Sequence, residues 1–177
     1  KQMLLNQVDA ISGVSGGSFT AAYYGLFGDR IFDDFEQKFL KKNVQGGLVR
    51  RMLLRPDNWV RLSSPFFQRS DLASEYYDKI LFEKKTFGDM AARKGPMVHI
   101  NATDMVMGIR IAFHQDAFDV ICSNLSSFPV ARAVTASSAV PVVLTPITLR
   151  NYSNDCGYTL PEQLDRVRRE HDISSRA

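Results

Sequence analysis

Cysteine is scarce in this sequence, which contains only two among 177 residues. Cys122 and Cys156 are too few for a disulfide framework, and their wide separation lacks the short spacing of metal-ligating pairs. We therefore expect two free thiols, which favours a reducing compartment over an oxidising one.

Strong charge of one sign is also absent. The 22 Lys and Arg residues against 19 Asp and Glu residues leave a net charge of +3. Basic residues are interleaved with acidic ones, as along residues 165–170, which is typical of a solvated face. This charge pattern gives no indication of a nucleic-acid partner.

Long apolar runs are missing as well. The most apolar stretch, residues 139–144, is far shorter than the roughly 18 to 20 residues that cross a bilayer. The sequence thus contains no transmembrane segment, and it is compatible with a cytoplasmic or a membrane-associated location.

What is present is an ordinary globular composition, with 45% hydrophobic and 23% charged residues. The length fits one domain with a sizeable core. The chain begins with Lys1 and ends in a polar tail over residues 173–177. We therefore expect residues 1–177 to be a fragment, one partial domain that is incomplete at both ends.

Hydrophobic periodicity predicts helices in the first half of the chain. Apolar residues at helical spacing predict one helix over 18–26 and another from Ile31 to Lys41, with Gly46-Gly47 ending the second. Several short helices follow, one of them with Ser70-Asp71 at its N-terminus. Together they form a helical, cap-like region over about 30–93.

Strand patterns surround this helical region. Alternating apolar residues predict strands at 8–12 and 141–149 and a strand pair over about 97–114, while a small-residue helix occupies 129–136. This order of elements favours an α/β fold with a mostly parallel sheet.

The stretch Gly13-Val14-Ser15-Gly16-Gly17 matches G-x-S-x-G. It lies where a strand ends and a helix begins, which is the context of a nucleophile elbow. Ser15 is the expected nucleophile, and the backbone N–H of Gly16 is an expected oxyanion donor at the positive end of the helix dipole. Gly13 and Gly17 leave the turn free of obstructing Cβ atoms. A glycine-rich turn that binds phosphate, or nothing, is the alternative.

A serine nucleophile needs a base, and no histidine stands out as one. His99 and His114 lie in alternating strand segments, and His171 lies in a charged terminal stretch. The sequence thus offers a nucleophile without an evident imidazole partner.

Two further blocks accompany the motif. The stretch from Val8 to Ser18, with the Ala-Ser-Pro block 129–141 and the stretch Asn101-Ala102-Thr103-Asp104, resembles the bacterial branch of the patatin-like phospholipases. The resemblance extends from about residue 8 to 160.

The resemblance implies a three-layer α/β/α fold and a Ser–Asp dyad without histidine. Ser15 would attack acyl esters of phospholipids or related lipids and form an acyl-enzyme, as in a phospholipase A or esterase. The implied partner is a lipid substrate, with contact to a membrane surface. No cofactor and no metal are implied, and the oligomeric state is left open.

Two elements of that family are missing from their usual places. The Gly-rich oxyanion loop should precede the nucleophile strand, and the catalytic aspartate should stand in an Asp-Gly-Gly or Asp-Gly-Ala motif. Asp155 is followed by Cys156 instead of glycine, so we expect the aspartate outside this chain, with Asp155 as the candidate inside it. The isolated chain should consequently have little activity.

The remaining polar candidates have structural interpretations. Asp9 precedes the elbow and is expected to be structural, while Asp104 is expected to cap a turn. Ser137 and Ser138 lie in a small-residue helix and are expected to be structural too.

Two other functions stay open. One is an α/β-hydrolase-type esterase with a Ser-Asp-His triad, and the other is a non-catalytic lipid- or membrane-binding module of the same fold. An aromatic set within residues 48–82 suits a lipid-facing cap, although we expect it to be helical core. Its members are Trp59, Phe66, Phe67, Tyr76 and Tyr77.

Overall fold

The computed structural model describes residues 4–54, 56–64, 67–140, 143–157 and 159. The strands are β1 (Ala10–Val14), β2 (Met97–Thr103) and β3 (Arg110–Ala112). The α-helices are α1 (Gly16–Phe27), α2 (Val44–Leu54), α3 (Pro56–Leu62), α4 (Arg69–Tyr77), α5 (Phe87–Ala92), α6 (Gln115–Val120), α7 (Val130–Ser138) and α8 (Ser153–Cys156).

Other helical segments precede or connect these elements in the described part of the chain. Two are π-helices, Ile31–Leu40 and Asp78–Phe82, and three are 3-10 helices, Leu4–Gln7, Gly28–Arg30 and Leu125–Ser127. The helix predicted from Ile31 is therefore present, although its hydrogen bonds follow the wider π pattern.

The described strands form one mixed sheet in the order β1-β2-β3. β1 and β2 are parallel, with Ala10 opposite Met97 and Val14 opposite Asn101. β2 and β3 are antiparallel, which confirms the predicted strand pair. The fold is thus α/β, and the parallel pairing brings the C-terminal ends of β1 and β2 to the same edge of the sheet.

The core lies where α1 and α7 pack against this sheet and against each other. α1 is buried on almost every side, and Tyr23 and Ala22 are fully enclosed. Gly28 ends α1 with a φ of 59°, and its N–H donates to the carbonyl of Tyr24. Its left-handed backbone explains why glycine is suited to this stop.

Two helix boundaries differ from prediction. Gly46 and Gly47 do not end a helix but lie inside α2. A Cβ at Gly47 would overlap the hydroxyl of Tyr76, so this glycine permits close packing of α2 against α4. α4 begins at Arg69, before the predicted Ser70-Asp71, because the Asp71 carboxylate accepts from the N–H of Gln68 at 2.9 Å.

The aromatic set of the cap-like region is divided. Tyr76 and Tyr77 are buried, as expected for core, whereas Trp59 is 59% exposed, so the core prediction is wrong for that residue. Phe67 is half-buried beneath the guanidinium of Arg61. Phe66 lies outside the described residues.

The strand predicted over 141–149 is not formed in its described part, residues 143–149. Leu144 donates its N–H to Val140, which makes a turn, and the carbonyl of Thr145 accepts from the Ser70 hydroxyl. These bonds use backbone groups that a strand would direct to a neighbouring strand. Pro141 and Val142 lie outside the described residues.

The expectation of two free thiols is also wrong. Cys122 and Cys156 form a disulfide, with 6.1 Å between their Cα atoms. The Tyr152 N–H donates to the carbonyl of Ile121 at 3.0 Å, and this bond brings the two segments together. Sequence separation hides this proximity, because the two cysteines lie 34 positions apart.

Candidate active site

Ser15 is the single residue between β1 and α1. Its backbone has a φ of 51° and a ψ of −125°, a combination that side-chain-bearing residues rarely adopt. The serine, and not a glycine of the motif, therefore has the strained backbone of the turn. Ser15 is exposed at the edge of the sheet.

The motif glycines have different roles in this geometry. A Cβ at Gly13 would lie 2.9 Å from the Ser18 Cα and 3.1 Å from the Gly17 oxygen, so Gly13 allows α1 to approach β1. Nothing lies within 4 Å of a Cβ built at Gly16 or Gly17. The prediction that glycine keeps the turn free of Cβ atoms thus has a steric basis at Gly13 alone.

The first turn of α1 lies next to the Ser15 side chain. The N–H groups of Gly16 and Gly17 are at the helix start, where backbone donors have no partner within the helix. Both residues are exposed. Free amide donors at the positive end of a helix dipole are suited to bind a developing negative charge.

Two polar side chains fix the elbow from neighbouring elements. On β2, the buried Asn101 donates through Nδ2 to the Gly13 carbonyl at 3.0 Å and to Ser12 Oγ at 2.9 Å. On α7, Ser137 Oγ accepts from the Ser15 N–H at 3.0 Å. Asn101 thus supports the residue at the end of the strand, and Ser137 supports the serine itself.

Sequence reasoning missed both contacts. Ser137 was expected to be structural, and Asn101 appeared only as part of a family-like stretch. Ser137 lies 122 positions from Ser15 and Asn101 lies 88 from Gly13. The one available signal was that both residues belong to the blocks that accompany the motif.

The two described histidines, His99 and His114, lie away from Ser15. His114 is the N-cap of α6, and its Nδ1 accepts from the Ala117 N–H at 3.3 Å. His99 is opposite Ser12 in the parallel register, which is about 10 Å along the strand from Ser15 at the usual rise per residue. His171 lies outside the described residues.

Two aspartates singled out from the sequence have structural roles, and the side chain of the third is not described. Asp9 precedes β1 at the end remote from Ser15, and its carbonyl accepts from the Met97 N–H. Asp104 Oδ1 accepts from the N–H groups of Val106 and Met107 at 2.7 and 3.0 Å, so it caps a turn as predicted. The side chain of Asp155 lies outside the described residues.

Neither a metal cluster nor a membrane-spanning helix is found among the described residues. Among the described residues, no three or more His, Cys, Asp or Glu side chains are grouped to hold a metal ion. No described helix combines the length and apolar character needed to traverse a bilayer.

The comparison with protein families identifies the chain's relatives. The family model of patatin-like phospholipases matches residues 2–161, which is most of the sequence. The chain therefore belongs to the patatin-like phospholipase family, and the resemblance to that family as a whole is confirmed. No curated protein and no solved structure matches it.

Proposed function

We propose that this protein is a serine lipid acyl hydrolase of the phospholipase A or esterase type, with Ser15 as its nucleophile. The observation that carries the proposal is the exposed Ser15, with its strained backbone, at the start of α1. A family of lipid hydrolases and a strand–serine–helix turn both favour acyl transfer.

The reaction follows from the groups around the elbow. Ser15 Oγ attacks the ester carbonyl carbon while its proton passes to an aspartate, and the carbonyl oxygen becomes an oxyanion. The Gly16 N–H donates to that oxyanion. The carbon–oxygen bond to the leaving alcohol then breaks, and the alcohol takes the proton. Water then attacks the acyl carbon and loses a proton to the same carboxylate. The bond between the acyl carbon and Ser15 Oγ breaks, Ser15 Oγ takes that proton, and the carboxylic acid leaves.

The proposed mechanism uses the Ser–Asp dyad that the family resemblance implies. Its aspartate is proposed to lie outside this chain, with Asp155 as the candidate inside it. A three-layer α/β/α arrangement with a mostly parallel sheet is proposed for the whole domain, extending the α/β fold described here.

The contacts of the two described histidines weigh against a Ser-Asp-His triad built on either of them. His114 is engaged in capping α6, and His99 is opposite a residue three positions before Ser15. Replacement of either histidine by alanine is expected to leave catalytic turnover within about threefold, whereas loss of a triad base costs orders of magnitude.

A contact with the membrane surface is proposed at the turn between β2 and β3. Met105, Val106 and Met107 are each at least 66% exposed there, and Ile109 is 51% exposed. Asp104 satisfies the N–H groups of Val106 and Met107 internally, which lowers the cost of contact with apolar lipid. The turn follows β2 at the sheet edge where Ser15 follows β1, so a lipid bound there lies near the nucleophile.

The catalytic proposal is tested on Ser15→Ala in the full-length protein that carries this sequence. Hydrolysis of a p-nitrophenyl ester and labelling by a fluorophosphonate should both disappear. Ser127→Ala is the matched control, because that exposed hydroxyl donates to the nearby Asn124 carbonyl. Unchanged hydrolysis and labelling in Ser15→Ala would refute the proposal.

The membrane proposal is tested by flotation with phosphatidylcholine vesicles. Val106→Asp should reduce vesicle binding at least severalfold and leave hydrolysis of a soluble ester unchanged. Trp59→Ala is the comparison, because Trp59 is the exposed aromatic residue of α3. Loss of binding in Trp59→Ala alone would move the contact to the helical region. Vesicle binding without any ester hydrolysis would favour a non-catalytic lipid-binding module.

A further inference from the structure

The backbone of Ser15 needs external support. Its φ of 51° and ψ of −125° lie outside the common regions for a residue with a Cβ. Such a conformation costs about 1 to 3 kcal/mol and persists only where surrounding contacts determine it. The contacts around Ser15 therefore determine how firmly its Oγ is held in one position.

A small ring of hydrogen bonds supplies that support. The Ser15 N–H donates to Ser137 Oγ at 3.0 Å, and Ser137 Oγ lies 2.6 Å from Ser18 Oγ. The Ser18 N–H donates back to the Ser15 carbonyl at 3.0 Å. Ser18 is fully buried, so the ring is anchored in the core. Both backbone polar groups of Ser15 are thereby held.

The neighbouring serine of α7 makes a different contact. Ser138 Oγ donates to the Val134 carbonyl at 2.8 Å, within its own helix. Such bonds between a serine side chain and the preceding helical turn are local. The two adjacent serines of α7 thus have different partners. Ser137 accepts a hydrogen bond from the elbow, and Ser138 donates one within its own helix.

We propose that Ser137 is a positioning residue for the nucleophile. Its Oγ fixes the Ser15 N–H, and thereby holds the backbone that directs Ser15 Oγ and the Gly16 N–H toward the ester. The inference rests on the proposed hydrolase function. Without Ser137 Oγ, the Ser15 N–H loses this partner and the strained turn is free to relax.

The test compares Ser137→Ala with the matched control Ser138→Ala in the full-length protein. In Ser137→Ala, kcat and the rate of fluorophosphonate labelling are expected to fall about 10- to 100-fold, as for a small misplacement of a reacting group. KM should stay within about twofold, because ground-state binding is not altered. Ser138→Ala should change none of these values by more than about twofold.

A second readout does not depend on activity. Hydrogen exchange of the Ser15 amide should become faster in Ser137→Ala and stay unchanged in Ser138→Ala. Ser137→Cys keeps a weaker acceptor of similar size, so its kcat should fall by less than that of Ser137→Ala. Ser137→Cys also provides the test if Ser137→Ala does not fold.

Several outcomes would overturn the inference. One is a kcat in Ser137→Ala within twofold of the parent, and another is an equal loss in Ser137→Ala and Ser138→Ala. Unchanged Ser15 amide exchange in Ser137→Ala would also refute it. If Ser15→Ala keeps full hydrolysis, the proposed function has failed, and amide exchange then tests the hydrogen bond separately.

Discussion

The elbow region and the outer surface of the helical pair α2–α3 differ in the burial of their apolar side chains, although Leu48 of α2 reaches the core. In the elbow region, formed by β1, β2, α1 and α7, Ile100 and Tyr23 are fully enclosed. In the helical pair, Leu54 is 69% exposed and Val60 is 74% exposed. Substitutions in the elbow region should therefore alter the position of Ser15. Substitutions on the surface of α2–α3 should affect only their immediate surroundings.

The largest contrast is expected between two aliphatic truncations. Ile100→Ala removes methyl groups from the core and should lower the free energy of unfolding by about 2 to 5 kcal/mol. Leu54→Ala removes groups from an exposed side chain and should change it by less than about 0.5 kcal/mol. Urea unfolding measures both, and similar losses would show that α2–α3 is as tightly packed as the elbow region.

Gly13→Ala should produce the next largest effect. The added Cβ would lie 2.9 Å from the Ser18 backbone, and such overpacking costs about 1 to 3 kcal/mol. Fluorophosphonate labelling of Ser15 should slow in parallel. Gly17→Ala is the stability control because its surroundings are open. Equal unfolding free energies for the two variants would contradict the steric role of Gly13.

Asn101→Ala tests the support of the elbow from β2. The change removes the donor to the Gly13 carbonyl and to Ser12 Oγ, and an unsatisfied buried group costs about 1 to 3 kcal/mol. Gln37→Ala, on an exposed amide side chain, is the control. Thermal unfolding should separate the two variants, and a matching shift in both would argue against a specific role for Asn101.

The smallest effect concerns Asp34, beside α1. Burial alone raises the pKa of Asp34, but hydrogen bonds from Lys38, Tyr23 and Arg30 outweigh it and lower the pKa to about 2. The carboxylate thus stabilises the fold above the unfolded pKa of about 4, and that stability is lost as pH falls toward 2. Allowing for solvent screening, the contribution is on the order of 1 kcal/mol.

Asp34→Asn should consequently remove part of the acid dependence of unfolding. Urea titrations at pH 2 to 6 should show the variant less stable than the parent at pH 6 and nearly equal to it at pH 2. A constant difference between the two proteins across this range would show that Asp34 titrates normally in the folded state.

The predictable part of this molecule is what local sequence determines. The strand–serine–helix turn around Ser15 and the strand pair after Met97 follow from hydrophobic period and motif context. The helix break assigned to Gly46-Gly47 failed because tertiary packing against Tyr76 outweighs local helix propensity.

The supports of the elbow depend on distant partners. Ser137 resembles any small residue of a packed helix until α7 is placed beside Ser15. The strand predicted over 141–149 failed similarly, because the Ser70 hydroxyl takes the Thr145 carbonyl. An alternating pattern of apolar residues does not show that a distant side chain competes with a neighbouring strand for a backbone carbonyl.

The disulfide between Cys122 and Cys156 closes a covalent ring around the segment that contains α7. A protease that cuts the exposed backbone near Arg150 opens the chain inside this ring. The piece after the cut then stays attached, through Cys156, to the piece that carries Ser15 and Ser137. A chain cut at this place thus stays in one covalent piece. It separates into two fragments on a denaturing gel only after the disulfide has been reduced.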